Sequence, residues 1–490
     1  MSDPSSRPEA RSPRGFIDRR VRDLASERQI LTKVSEVYER YGFEALDTGA
    51  LEYADALGKF LPDADRPNEG VFALQDDDEQ WMALRYDLTA PLARFVAQNW
   101  EGLPKPFRRY AFGSVWRNEK PGPGRYREFT QCDADTVGSA RPEADAEIIA
   151  MAAEGLGAAG LPDGGYVIKI NNRKLLDGLL SEEGISDESR KLVVLRAIDK
   201  FDRLGWSGVR DLLGNGRLDE SGDFTRGANL SAQGIGNIEV FLASASSPNL
   251  SRDDVIQVLS GLPLGAAGDE GLRELAAING ALVALGVDEG SVRVDPTVVR
   301  GLEYYTGTVF EAEMLLQTTD DKGAPVKFGS VGGGGRYDDL VARFTGERVP
   351  ATGFSFGVSR LAQALRAAGQ DQATRSRGPV VVIAFSQDDM AAYLQVVGEL
   401  RAAGIAAEVY LGTSGMRPQM KYADRRLSPA AVILGGDEIA AGTVTIKDLD
   451  LGRELSSAVT DNAAWRAERP GQQTVLRSEL IPTLRRILEA

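Results

Sequence analysis

The chain has 490 residues, of which 42% are hydrophobic and 26% charged, with a formal charge of −15. Roughly two to four domains are expected at this length, and no window approaches the run of about eighteen apolar residues that a membrane helix needs. A single cysteine, Cys132, excludes an intrachain disulfide and points to the reducing cytoplasm, while the complete lack of histidine excludes Ser-His-Asp and Cys-His nucleophiles and His-ligated metals.

The Ser/Pro-rich, charged stretch Met1–Arg14 lacks a secretory core and reads as a disordered leader. An amphipathic helix follows, with Ile30, Leu31, Val34, Val37 and Tyr38 on one stripe and Gly42 at its end. Phe43–Leu51 reads as a strand, and Leu88–Val96 as a helix starting near Asp87 and Thr89. Phe107–Trp116 and Tyr126–Val137 read as a hairpin around the exposed Pro121–Gly124 loop. Period-2 geometry puts Phe129, Gln131, Asp133 and Asp135 on one face, and Arg117 with Glu119 on another. Such residues do not build a core, so this face is expected to line a functional cleft over an antiparallel sheet. Asp133 alone is read as structural. From Lys105 to Arg127, Lys105, Arg108, Arg109, Arg117, Lys120, Arg125 and Arg127 face one acid, Glu119, a cluster able to hold phosphates inside an acidic protein.

Beyond Arg173 the pattern weakens, and about 185–287 is expected to be an inserted, mostly helical domain. Val299–Glu313 and Phe328–Val331 return to strand character. Two segments stand out here: Arg300-Gly-Leu-Glu-Tyr-Tyr-Thr306, and Gly332-Gly-Gly-Gly-Arg-Tyr-Asp-Asp339. A fixed cation, phenol hydroxyls and bare backbone suit a small anionic or polar ligand. Thr352–Leu365 runs from strand into helix, with Arg360 at the helix start, where the dipole also favours anions. Residues 367–378 read as a linker. Residues 379–490 alternate strand and helix as a small α/β domain does, with Thr443–Asp448 as the final strand. The glycine run lacks the Gly-Lys-Ser/Thr ending of a P-loop.

Val115-Trp-Arg-Asn-Glu119, Gly124–Gln131 with Cys132–Asp135, and Gly353–Arg360 together resemble motifs 2 and 3 of the class II aminoacyl-tRNA synthetases. Arg300–Thr306 and Gly334–Asp338 resemble the two segments peculiar to the histidine-specific family, and Gly42–Glu52 resembles motif 1, at the dimer interface. Lys421–Asp424 and Gly435–Leu449 resemble parts of that family's anticodon-binding domain. The resemblance covers about residues 15–460. It implies a multidomain α/β protein: an antiparallel sheet with flanking helices in 15–366, a helical insertion, and an anticodon-binding domain in 379–490.

It also implies a cytoplasmic homodimer that ligates L-histidine to tRNA(His) through histidyl-adenylate, with ATP as substrate and Mg²⁺ on the leaving phosphates. By resemblance, Arg117 bridges the substrate carboxylate and α-phosphate, Glu119 reads the adenine amino group, and Phe129 stacks on adenine. Arg125 and Arg360 hold the outer phosphates, and Arg300 stabilises the α-phosphate in the transition state. Asp87, Thr89 and Gln131 receive the α-ammonium, and Leu88 is counted with them among the histidine-binding residues. Asp135 and Tyr305 bind the imidazole nitrogens, with Tyr304 and Tyr337 closing the pocket. No protein metal site is implied. This chain departs from the family in carrying Gly49 where motif 1 usually has proline, and Glu303 where Asp is common. A non-catalytic regulatory paralogue, serving ATP phosphoribosyltransferase, typically loses the phosphate-binding arginines and the anticodon domain; this sequence keeps Arg117, Arg300 and Arg360. Synthetases for threonine, proline or glycine are disfavoured by Arg300–Thr306.

Overall fold

A computed structural model describes residues 8–57, 70–122, 125–218, 223–245, 250–299, 305–319, 325–326, 328–371, 377–456 and 471–489. The chain divides into two compact units, Met1–Gln372 and Ala373–Ala490.

The first unit is organised on an eight-stranded sheet. Its spatial order is Glu44–Ala45, Phe107–Trp116, Glu128–Val137, Ala351–Gly357, Gly329–Arg336, Thr308–Met314, Tyr166–Asn172 and Val292–Val294. The interior pairings are antiparallel, and the two edge strands pair in parallel. One face is closed by the helices Val21–Arg40, Pro142–Ala158 and Val358–Ala367. The stripe Ile30, Val34, Val37 and Tyr38 is buried in this core together with Cys132, Ala134, Phe354 and Phe356 from the sheet. Alternation along Glu128–Val137 thus sends Cys132 and Ala134 to the core and the odd-numbered polar residues to the opposite face.

Several elements differ from the sequence expectation. The Phe43–Leu51 strand is broken into Glu44–Ala45 and Leu51–Tyr53, and the latter belongs to a separate three-stranded sheet with Trp81–Leu84 and Ala73–Gln75. Between them the Arg85 guanidinium, rather than a neighbouring strand, satisfies the Thr48 carbonyl at 2.8 Å. Of the expected Val299–Glu313 strand, residues 300–304 lie outside the described residues, and the described strand is Thr308–Met314. Phe328–Val331 instead lengthens to Gly329–Arg336, so the glycine run lies within the ladder.

Between Arg173 and Val292 the described residues form six helices and one short hairpin, Gly216–Leu218 with Phe224–Arg226. The last helix, Gly265–Ala284, packs on Arg173–Glu182 and on Pro142–Ala158, placing Leu275, Ile278 and Leu282 in the same core as the sheet.

The second unit has a five-stranded sheet ordered Ala407–Val409, Val380–Ile383, Ala430–Ile433, Thr443–Asp448 and Gln472–Leu476. The first three are parallel and the last two antiparallel. Val380–Ile383 is buried throughout, as its unbroken apolar run requires. Thr443–Asp448 is not the final strand. Gln472–Leu476 follows it at the sheet edge, partly exposed and without hydrophobic alternation to announce it.

Candidate active site

The open face of the large sheet carries polar side chains between very small ones. Asp135 lies across from Arg109 on one neighbouring strand and Gly353 on the other; Asp133 lies between Ala111 and Ser355, and Gln131 between Gly113 and Gly357. Small partners leave a hollow instead of a packed surface. A Cβ on Gly353 would come within 1.9 Å of Asp135 Oδ1, and one on Gly335 within 2.8 Å of the Tyr305 ring. The glycines therefore make room for the pocket's own side chains.

The hollow opens into a cavity of ≈ 1230 Å³, large enough for two small substrates together. Asp87, Thr89, Arg117, Glu119, Arg125, Phe129, Gln131, Tyr305 and Arg360 all line it. Arg300 and Tyr304 fall outside the described residues. Leu88, Asp135 and Tyr337 stand behind the wall. Leu88 is buried among Ala111 and Val115, and offers only its carbonyl, which accepts from Arg109 Nη2 at 2.8 Å. Tyr337 is buried, and its hydroxyl donates to Asp135 Oδ1, so it orients the carboxylate from behind instead of closing the pocket.

Arg117 follows directly on the Phe107–Trp116 strand. Its Nε donates to the Tyr86 carbonyl at 3.3 Å, and its guanidinium lies 4.8 Å from the Tyr86 ring and 5.1 Å from the Phe129 ring. These contacts fix a cation over an aromatic wall. Arg125 lies 3.6 Å from Glu119. Arg360 sits in the first turn of the Val358–Ala367 helix and donates to the Phe328 carbonyl. Asp87 Oδ1 accepts from the Thr89 and Ala90 amides at 3.1 and 2.9 Å, which locks it at the start of the Thr89–Asn99 helix.

The basic cluster does not act as one surface. Arg108 pairs with Glu147 and lies over Phe43, while Lys105 lies over Trp100. Arg109 is fully buried and sits 2.9 Å from Asp135. Only Arg117 and Arg125 of that cluster reach the cavity. Arg109 could have been singled out by its place two residues before Ala111 on the face of the strand that looks to the cleft.

Burial governs the acids. Desolvation pushes the Asp87 and Asp135 carboxyls up, partly offset at Asp87 by the amides and Arg117, and at Asp135 by Arg109 and Tyr337. Asp133, read from sequence as structural, lines the cavity and is pushed up to about 8 by burial and by Asp135. Gln131 Nε2 donates to Ser355 Oγ at 3.0 Å. Sequence reasoning also missed Tyr86, Ser355, Arg343 and Arg348 on the wall, and Arg173, whose Nη1 donates to the Tyr305 carbonyl at 3.1 Å.

A family model described as histidyl-tRNA synthetase matches residues 15–361, and one described as an anticodon binding domain matches residues 379–469. The chain belongs to the histidyl-tRNA synthetase family. A protein of Caulobacter vibrioides named histidine–tRNA ligase is 70% identical over 484 residues, covering 98% of this chain and 97% of that one. A Brucella ovis protein of the same name is 54% identical, covering 100% and 98%. The crystal structure of histidyl-tRNA synthetase from Nostoc superposes with a TM-score of 0.71 at 28% identity, covering 98% of this chain and 100% of that one. The mixed sheet with its flanking helices fits the class II synthetase fold. Among the described residues no helix is long and apolar enough to cross a membrane.

Proposed function

We propose that this protein ligates L-histidine to tRNA(His) in two steps, at the cavity over the large sheet. In the first, the histidine carboxylate attacks the α-phosphorus of ATP. An oxygen–phosphorus bond forms, the bond to the β-phosphate bridge breaks, and pyrophosphate leaves with the electron pair. In the second, a ribose hydroxyl of the tRNA terminal adenosine attacks the activated carbonyl and AMP leaves.

The single observation that carries this reading is the convergence of Arg117, Phe129, Gln131, Asp87, Tyr305 and Arg360 on one cavity from separate parts of the chain. A carboxylate nucleophile is already ionised at neutral pH, so the protein needs no histidine base; positioning and charge stabilisation suffice. In this reading Arg117 holds carboxylate and α-phosphate together, with Phe129 under the adenine and Glu119 at its amino group. Arg125 and Arg360 take the outer phosphates, and Arg300 the α-phosphate. Asp87, Thr89 and Gln131 take the α-ammonium. Asp135 and Tyr305 read the imidazole, with Leu88, Tyr337 and Tyr304 supporting.

Mg²⁺ would enter on the nucleotide. Carried by the polyphosphate, it would neutralise charge on the leaving phosphates. Assembly as a cytoplasmic homodimer through Gly42–Glu52, and an anticodon-reading role for residues 379–490, belong to the same proposal. The regulatory alternative is disfavoured by the match of the second unit to an anticodon-binding model. The test is charging of tRNA(His) with labelled histidine: histidyl-tRNA supports the proposal, and histidine binding without charging would favour the regulatory alternative.

A further inference from the structure

Asp133 occupies a position that a purely structural acid would not. Its side chain is buried, 2% exposed, yet on the cavity wall, and its Oδ1 has no hydrogen-bond partner among the described residues. The residues across from it on the neighbouring strands, Ala111 and Ser355, carry no charge. Ser355 also accepts from Gln131 and is the hydrogen-bonding hydroxyl beside the Asp133 carboxyl.

Among the described residues, the acids facing this corner outnumber the cations that act on them. Asp87, Asp133, Asp135 and the Tyr305 phenol face one another in this corner. Arg109 lies 2.9 Å from Asp135, and Arg117 acts on Asp87. Arg109 also draws the Asp133 carboxyl down, less than burial and Asp135 push it up. A buried carboxylate with a free oxygen requires either a proton or a cation. ATP brings negative charge and a neutral imidazole brings none. The one permanent cation among the proposed substrates is the amino acid's ammonium group.

We propose that Asp133 is a direct ligand of the histidine α-ammonium, shared with Asp87 and Gln131. The proposal rests on the adenylation reading above and adds a residue to its substrate site. In the empty cavity a proton takes the cation's place, since burial and Asp135 keep the Asp133 acid form populated up to about pH 8. Binding of the ammonium then displaces that proton to solvent. No bond to substrate is made or broken at Asp133; it selects for a protonated α-amine and aims the carboxylate toward Arg117.

The experiment is equilibrium binding of L-histidine and of its desamino analogue, imidazole-propionate, to the full-length wild type and to Asp133→Asn. Melting temperature and ATP binding report on the variant's fold. The wild type is expected to prefer histidine strongly. Asp133→Asn is expected to weaken histidine binding by roughly 30-fold or more, the scale for removing one partner of a buried charge pair, while the analogue is nearly unaffected. Should Asp133→Asn not fold, Asp133→Ser is the second variant, since a shorter side chain meets no new neighbour beside Ala111 and Ser355. Equal weakening of both ligands, or no weakening of either, overturns the proposal while leaving the adenylation reading intact. A wild type that binds no histidine overturns both.

Discussion

Arg109 and Asp135 lie 2.9 Å apart across paired strands, with side chains only 1% and 3% exposed. The same guanidinium donates to the Leu88 carbonyl, so one buried cation ties the proposed imidazole-reading acid to the segment that carries Asp87. Removing it strands a charge in the interior. Arg109→Met is expected to destabilise the first unit by about 3–5 kcal/mol, the usual cost of breaking a buried pair. Adding Asp135→Asn should recover part of that loss. Denaturant unfolding of the two single variants and the double variant measures the coupling.

Gly353 faces Asp135 with no room for a methyl group, since a Cβ would lie 1.9 Å from Oδ1. Gly353→Ala should push the carboxylate out of place. The expected result is a KM for histidine raised about 10- to 100-fold, in line with misplacement by about an ångström, with a much smaller effect on the KM for ATP. Pyrophosphate exchange at varied histidine and varied ATP separates the two.

The Asp133 carboxyl, pushed up to about 8, makes stability depend on pH. Its folded value lies above the unfolded value near 4, so between these limits the native state holds more protons than the unfolded state. Stability from this group is full below about pH 4 and is lost as pH rises toward 8, at no more than about 1.4 kcal/mol per pH unit for one proton. The ligand-free Asp133→Asn variant should therefore lose less stability than wild type between pH 5 and pH 8 in thermal melts.

Arg117 is fixed over Tyr86 and Phe129 with one nitrogen on the Tyr86 carbonyl, leaving the rest of the guanidinium for a ligand. Arg117→Lys keeps the charge and loses the planar fork. A fall in kcat for exchange of about 10²- to 10³-fold is expected, the range for removing one donor to developing charge, with little change in melting temperature. Single-turnover adenylate formation provides the direct reading.

The central part of the fold was legible where pattern and chemistry agree. Phe107–Trp116 and the odd-numbered face of the following strand follow from period 2, and Val380–Ile383 from its unbroken apolar run. Asp87, Arg117, Phe129, Gln131 and Arg360 were legible as members of motifs, and they do line one cavity. Partners distant in sequence were not. Arg109 reads as a phosphate-facing cation until the register puts it against Asp135, and Arg173, far away in sequence, lines the cavity and donates to the Tyr305 carbonyl. Asp133 was read as structural; the structure puts it on the cavity wall with no hydrogen-bond partner for Oδ1 among the described residues, which period 2 alone does not reveal. Gln472–Leu476 carries no periodic signal because both its faces are partly wet.

The most direct measurement is ATP–pyrophosphate exchange by the full-length protein with each of the twenty amino acids in turn. A site that hydrogen-bonds both nitrogens of an imidazole rejects amino acids lacking them by about 10⁴ or more. The account predicts exchange with histidine alone, abolished by Arg300→Ala. Exchange with another amino acid at a comparable rate, or none with histidine, would contradict it.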